Sequence, residues 1–376
     1  MTHLTKHNLI SATQYAFRPN SGTTMTIQTV TDNIKKQKQQ RKPLLAIYID
    51  LSKAYDTVDH KKLLHKLRHD FNFTQHATDF IASYLYNRQQ STHTTHAKSH
   101  TRTITHGIPQ GSTLSTTFFL LYVNDIINTV PHSKVYTYAD DTTLIVHAES
   151  TIKLQQLAQS ELANLMSYFH SNNLVPNPTK TQYTIFYPTP LHDDTTLHIG
   201  DVTLKHTTSA RLLGVTMQQN LKHHETIKNI VRKLQTTIQM FRHVNKLVDR
   251  RIMVRLYYAY AYPHLIGNIT VWGHENDNKD YLQPLIKTHK KIVRLTCNVP
   301  PLTHTKPLMA QLHILKLTNV YILRAALEMH PFIYPQGQRN RPEHNHHYIW
   351  TTQIHDYPTR YSRQQRHYIT TTIDEQ

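Results

Sequence analysis

The sequence predicts an α+β fold: an antiparallel sheet backed by helices, followed by a basic helical region. Three observations carry that prediction. Leu44–Leu51 (LLAIYIDL) is a short continuous apolar run set off by Pro43 and a polar, basic stretch, Lys35–Lys42, which reads as a buried strand. Val135–His147 (VYTYADDTTLIVH) places apolar arms around Asp140-Asp141, the pattern of a hairpin with the acidic pair in its tight turn. From Ile227 the spacing becomes helical, with apolar residues at Ile227, Ile230, Val231, Leu234 and Ile238.

The remaining elements follow in chain order. After the first strand, Leu63, Leu64, Leu67 and Phe71 fall at helical spacing, and Asp59 is placed to cap that helix. Phe80, Ile81, Tyr84 and Leu85 predict a second helix. Gly107-Ile108-Pro109-Gln110-Gly111 is a turn, with Ser112 capping an apolar helix over Leu114–Val130. Leu154, Leu157, Leu162, Leu165 and Phe169 predict the helix after the hairpin. Strands are expected over Thr181–Tyr187, Leu197–Ile199, Val202–Leu204 and Arg211–Met217. Residues after about Pro331 are rich in His, Arg and Gln and show little periodicity.

Composition narrows the function classes. With 38% apolar residues and a mean hydropathy of -0.53, no run approaches the ~18 residues of a spanning helix, so a membrane protein of that type is excluded. Aromatic residues at 9% argue against general disorder. The single cysteine, Cys297, excludes an internal disulfide framework and a Cys-rich zinc module. The N-terminus has no apolar stretch of the secretory type, so an intracellular protein is expected. A net charge of +18 favours a polyanionic partner, and residues 217–376 hold 22 basic against 10 acidic side chains. The histidine clusters His344-Asn345-His346-His347 and His223-His224 invite a metal reading. Heavy use of Thr, His, Gln and Asn, whose codons are rich in A and C, explains them as well.

The carboxylates carry the chemistry. Asp50 closes an apolar strand, and Asp140 and Asp141 sit in an apolar hairpin. If the hairpin lies beside that strand, Asp50 and Asp140 converge at adjacent strand ends, where clustered carboxylates want hard divalent cations. An Asp-Asp turn is also a common solvated feature, so the pair alone decides nothing.

The surrounding motifs decide it. Tyr15-Ala16-Phe17-Arg18, Ile49-Asp50-Leu51-Ser52-Lys53-Ala54-Tyr55-Asp56, Gly107-Ile108-Pro109-Gln110-Gly111-Ser112, Phe119–Asp125, Tyr138-Ala139-Asp140-Asp141, Asn177 with Lys180-Thr181, and Leu212-Leu213-Gly214-Val215 run in that order. Together they resemble the reverse transcriptases of non-LTR (LINE-type) retrotransposons, with a looser likeness continuing through Val271-Trp272-Gly273 to about residue 330. The resemblance implies a right-hand polymerase architecture. It implies partial fingers and an antiparallel palm over 1–217, a helical thumb over 218–300, and a connector with a basic, poorly ordered tail over 301–376. It implies an RNA-directed DNA polymerase that extends a DNA primer on an RNA template from dNTPs with two Mg²⁺ ions, Mn²⁺ substituting. Asp50, Asp140 and Asp141 match the palm carboxylates, the first two holding the ions. Tyr55 matches an aromatic gate against the ribose 2′-hydroxyl, Gln110 and Gly111 a nucleotide and template contact, Lys180 a lysine that protonates the leaving pyrophosphate, and Arg18 a fingers arginine. Arg232, Lys233, Arg250, Arg251, Lys290 and Lys291 are expected to meet phosphates without reading sequence. Nucleus and cytoplasm are the implied compartments.

Two positions depart from the family pattern: Ser115-Thr116 stand where Gly-Pro is usual, and Tyr168 where Trp is common. The motifs begin close to the start of the chain, with no earlier fingers segment, endonuclease or Cys/His knuckle, so a truncated copy or fragment is expected. A catalytically inactive remnant that at most binds nucleic acid is the alternative. A group II intron maturase or another reverse transcriptase lineage shares the palm logic, but Asp50–His60 and Leu212–Val215 look more LINE-like.

Overall fold

The computed structural model describes Leu4, His7 and residues 9–18, 21–186 and 196–333. The His344–His347 cluster and the expected tail beyond residue 333 lie outside the described residues, as does Tyr187 at the end of an expected strand. By packing, the chain divides into two units, Met1–Leu221 and Lys222–Gln376.

The first unit contains strands β1 (Leu44–Ile49), β2 (Leu51–Ser52), β3 (Gln89–Gln90), β4 (Arg102–Thr103), β5 (Lys134–Tyr138), β6 (Asp141–His147), β7 (Val175–Pro176), β8 (Gln182–Phe186), β9 (His198–Ile199), β10 (Val202–Thr203), β11 (Lys205–His206), β12 (Ser209–Leu212) and β13 (Val215–Gln218). Five of them form one sheet in the order β11-β8-β1-β6-β5. Its pairs are antiparallel, as expected, except that β11 joins β8 in parallel at the edge. All six residues of β1 are buried, which is why the run is continuously apolar rather than alternating. Leu45, Ile47, Ile49, Leu144 and Val146 pack in one core with residues of the helices His60–His69, Thr113–Tyr122 and Thr151–Ser171. The helix Thr23–Gln39 packs on β1 and β5.

Several expected elements are present with their caps. Asp59 accepts a hydrogen bond from the Lys62 amide at 3.0 Å and starts the helix His60–His69. Ser112 caps the helix Thr113–Tyr122, and Ser150 caps Thr151–Ser171. Three expectations are corrected. The helix expected over Leu114–Val130 ends at Tyr122 and gives way to a 3₁₀ helix, Asn124–Thr129. Long-range bonds take over there: Asn124 accepts from the Ser11 amide and donates to the Leu9 carbonyl, while Asp125 binds Lys66 and Tyr168. The single strand expected over Arg211–Met217 is a hairpin, β12–β13, turned by Leu213 and Gly214 at φ +46° and +88°. The acidic pair does not share the β5–β6 turn, because Asp141 is the first residue of β6 and faces Tyr138 in register.

The second unit is helical among its described residues. The helices His224–Val244 and Glu275–Cys297 pack together, with Leu234, Ile238, Phe241, Leu285 and Ile292 buried. Met253, Tyr257, Ala261 and Leu265 are buried at a strict spacing of four. An α-helix drifts about 40° per such step, which would spread the four over about 120°. A π-helical turn over Tyr257–Ala261 absorbs the drift and leaves Tyr258, Ala259 and Tyr260 exposed in succession. The Tyr257 hydroxyl and the ring of His289 are hydrogen-bonded at 3.0 Å, and burial pushes His289 down to about 4. Gly273 is required: a Cβ there would lie 2.6 Å from the Ile269 carbonyl oxygen. Among the described residues no helix is long and apolar enough to cross a membrane.

Candidate active site

The sheet itself brings the acids together. Ile49 pairs with Thr142, so Asp50 follows the last paired residue of β1 on the side where Asp141 begins β6. Asp140 sits in the turn beside it, preceded by Ala139 at φ +55°. A non-glycine residue in that conformation costs about 1 kcal/mol or more and has to be held there. Gln14 does the holding. It is buried, and its side-chain oxygen accepts from the Ala139 amide at 3.3 Å and the Ala16 amide at 2.9 Å. The segment around it joins the β5 edge through a parallel bridge to Thr137. Gln14, the residue just before the Tyr15–Arg18 motif, therefore braces the turn that carries Asp140.

Opposing charge is thin around this cluster. The Asp141 carboxyl reaches solvent yet lies above the usual carboxylate range, first through desolvation, then through Asp140 and Asp50, with Arg211 opposing. Lys180 places its Nζ 3.6 Å from Asp50, in a pair with both side chains well exposed. Such a surface pair contributes little stability. Its geometry is set from the backbone: β7 pairs with β2, and the Asn177 amide donates to the Asp50 carbonyl at 2.8 Å.

A cavity of about 630 Å³ opens beside Asp140, lined by Lys53, Tyr55, Gln110, Gly111 and Ser112 among others. Tyr55 stacks on Phe119 at 4.7 Å, and its hydroxyl is pushed up by burial and then by the negative charge of Asp140. Gln110 donates to the Asp56 carboxylate at 2.9 Å. Gly107, at φ +88°, lets its turn lie against Asp56, where a Cβ would come within 2.8 Å of the backbone oxygen. The Ile108 amide donates to the Tyr55 carbonyl at 2.9 Å, tying the two walls together. Gly111 also has positive φ, +80°.

Asp50, Asp140, Asp141, Lys180, Tyr55, Gln110 and Gly111 are thus gathered around the end of β1. Arg18 is not brought to this cavity. Its guanidinium donates to the Ser11 and Gln14 carbonyls at 2.7 and 3.0 Å, and it lines a different hollow of about 700 Å³ with Asp70, Phe71 and Asp125. Arg232, Lys233, Arg250, Arg251, Lys290 and Lys291 are all exposed on helices of the second unit. Sequence reasoning missed Gln14, Asp56, Lys53 and Arg211. Lys53 and Asp56 carried a signal, as members of the motif that contains Asp50.

Among the described residues, no group of three or more His, Cys, Asp or Glu side chains forms a metal cage by itself. The donor set nevertheless suits a hard cation of the Mg²⁺ type, which uses one or two carboxylates and completes its shell with water and phosphate.

Comparison with known proteins gives the family. Residues 1–217 match the family model described as reverse transcriptase (RNA-dependent DNA polymerase). The chain is 24% identical over 283 residues to a probable RNA-directed DNA polymerase from transposon BS of Drosophila melanogaster, covering 72% of this chain and 30% of that protein. It is 22% identical to the RNA-directed DNA polymerase from the mobile element jockey of the same species, covering 81% of this chain and 34% of the relative. The chain therefore spans about a third of the length of these relatives. Among solved structures, telomerase from Candida albicans aligns over 77% of this chain and 53% of its own at 11% identity, with a TM-score of 0.40.

Proposed function

We infer the function from one premise: this chain belongs to the reverse transcriptase (RNA-dependent DNA polymerase) family, of the kind found in non-LTR retrotransposons. We propose that it extends a DNA 3′ end along an RNA template by nucleotidyl transfer from dNTPs. The observation that supports this most is the convergence of Asp50, Asp140 and Asp141 at one end of the sheet, beside a cavity lined by Tyr55, Gln110 and Gly111. In this reading the five-stranded sheet is the palm of a right-hand polymerase, the segments at its flanks are fingers, and the helices of the second unit are thumb and connector.

Each residue then has a task. Asp50 and Asp140 would hold the divalent ions, Mg²⁺ with Mn²⁺ as substitute, and Asp141 supports them. Those ions would supply charge neutralisation at the reacting phosphorus and a more acidic primer hydroxyl. Gln14 keeps Asp140 in its strained turn. The Tyr55 ring, fixed by Phe119, closes the cavity where a ribose 2′-hydroxyl would project. Gln110, oriented by Asp56, faces the incoming nucleotide, and Gly111 keeps its wall free of a side chain. Lys180, beside Asp50, is placed to give a proton to the leaving pyrophosphate. Arg18 serves outside that cavity, by holding the Ser11–Gln14 loop that braces the turn. Arg232, Lys233, Arg250, Arg251, Lys290 and Lys291 meet phosphates of the hybrid. The work is carried out inside the cell, in the nucleus and cytoplasm.

Primer extension on an RNA template with Mg²⁺ and dNTPs tests the reading. Extension by the wild type that is abolished in Asp140→Asn is the expected result. No extension by the wild type at high protein concentration contradicts it and favours a remnant that at most binds nucleic acid.

A further inference from the structure

The segment between the helix Gln75–Leu85 and the Gln110 turn has no role in the site as described. It forms a two-stranded ribbon in which β3 pairs with β4, His93 bridges to Lys98, and the Thr94–Ala97 turn closes the tip. No residue from Tyr86 to His106 is buried, so the ribbon adds nothing to the core. An isolated hairpin of this kind is marginal in water, and its sequence is not chosen for packing. Its charge is one-sided. No Asp or Glu occurs between Asp79 and Asp125, whereas the ribbon carries Arg88, Lys98 and Arg102. Among the described residues no carboxylate pairs with those three.

The root of the ribbon is fixed to the cavity. The Gly107 amide donates to the Val58 carbonyl at 2.7 Å, His106 bridges to Asp59, and Gln110 follows three residues after Gly107. Arg88 lies over the Tyr84 ring at 5.2 Å, and the Tyr84 hydroxyl is bonded at 2.7 Å to Ser112, which lines the cavity. Tyr86, at the same root, is 45% exposed. Cations that track a backbone, with an exposed aromatic ring beside them, are the features that hold single strands without reading sequence.

We propose that the ribbon Tyr86–His106 guides the unpaired RNA template strand toward Gln110. Arg88, Lys98 and Arg102 contact its phosphates, and Tyr86 stacks on a base at the mouth of the cavity. This rests on the polymerase reading for the identity of the strand, but the ribbon's binding is measurable without turnover.

The test uses the full chain and two RNA–DNA hybrids, one blunt and one with a long single-stranded RNA 5′ overhang, followed by fluorescence anisotropy without dNTPs or metal. The wild type is expected to prefer the overhang. The triple variant Arg88→Gln, Lys98→Gln, Arg102→Gln should lose affinity for it by about tenfold, with the salt slope falling by about 2 and blunt-hybrid affinity unchanged. Tyr86→Ala should lower overhang affinity by about fivefold or more with the slope intact. Unchanged overhang binding in the triple variant overturns the proposal, as does an equal loss on the blunt hybrid. In either case extension by the wild type reports separately on the polymerase reading.

Discussion

Two groups of acids in the first unit behave in opposite ways. Asp125, as exposed as Asp50, is matched by partners: Lys66 donates to it at 2.7 Å and Tyr168 at 2.6 Å, and the Lys66 ammonium lies over the rings of Tyr122 and Tyr168. Lys66 is largely buried and also donates to the Tyr122 carbonyl at 2.7 Å, which pins the end of one helix to another. Burial holds its ammonium below the usual lysine range, with Asp125 pulling the other way. Asp50, Asp140 and Asp141 lie at one end of the sheet, opposed among the described residues by the exposed Lys180, paired with Asp50, and by the charge of Arg211 on Asp141. The first arrangement is a closed circuit of charge and hydrogen bonds. The second is left open, and an open cluster of like charges is expensive unless something arrives to balance it. In the proposed reading, compensation marks architecture and its lack marks the place where a cation would bind.

The largest effect that can break this comparison is on turnover. Asp140→Asn, and likewise Asp50→Asn, should lower the extension rate by about a thousandfold or more while leaving the melting temperature near that of the wild type. Asp125→Ala should do the reverse. It leaves Lys66 buried without its partner and should cost about 2–3 kcal/mol in urea unfolding, with activity of the folded fraction retained. An apolar pair, Lys66→Met with Asp125→Leu, should recover most of that loss. If Asp125→Ala is neutral in stability, the clasp is not structural and the contrast fails.

Much of this was legible in the sequence, for a physical reason. β1 is central and buried on both faces, so its apolar run is unbroken, and Asp59 and Ser112 declare their helices through local capping bonds. The three acids stood out at a strand end and in a hairpin, but their expected roles came from the collinear motifs around them and the family these resemble. What escaped depends on distant partners. Thr23–Gln39 is a helix rich in Thr, Gln and Lys, with only Ile27, Val30 and Ile34 to mark its buried stripe. Tyr122 ends a helix whose sequence alone would continue it, because Asn124 and Asp125 are bonded to residues far along the chain. Gln14 and Arg211 reach the site through the parallel bridge and the β12–β13 hairpin, neither of which has a periodic signature.

Two smaller effects sharpen the contrast. Tyr55→Ala should admit ribonucleotides, read as alkali-sensitive product, and unchanged sugar discrimination would refute the gate. At Asp141 the folded-state pKa is raised, so the group's unfavourable contribution is absent below the unfolded carboxylate range and grows as pH rises through the raised value. Asp141→Asn should therefore raise the melting temperature at pH 7 by roughly 1–2 °C. The gain should shrink as pH is lowered toward 4, and a gain independent of pH would show that charge is not the cause.

The most direct measurement is of the cation itself. Mn²⁺ is titrated into the protein with a chain-terminated RNA–DNA hybrid and the next dNTP, and free Mn²⁺ is followed by electron paramagnetic resonance. Wild-type protein should withdraw ions from solution, and Asp50→Asn and Asp140→Asn should each lose that uptake, whereas Lys66→Met with Asp125→Leu should keep it. Equal Mn²⁺ uptake by the wild type and both aspartate variants would contradict the assignment of the three acids.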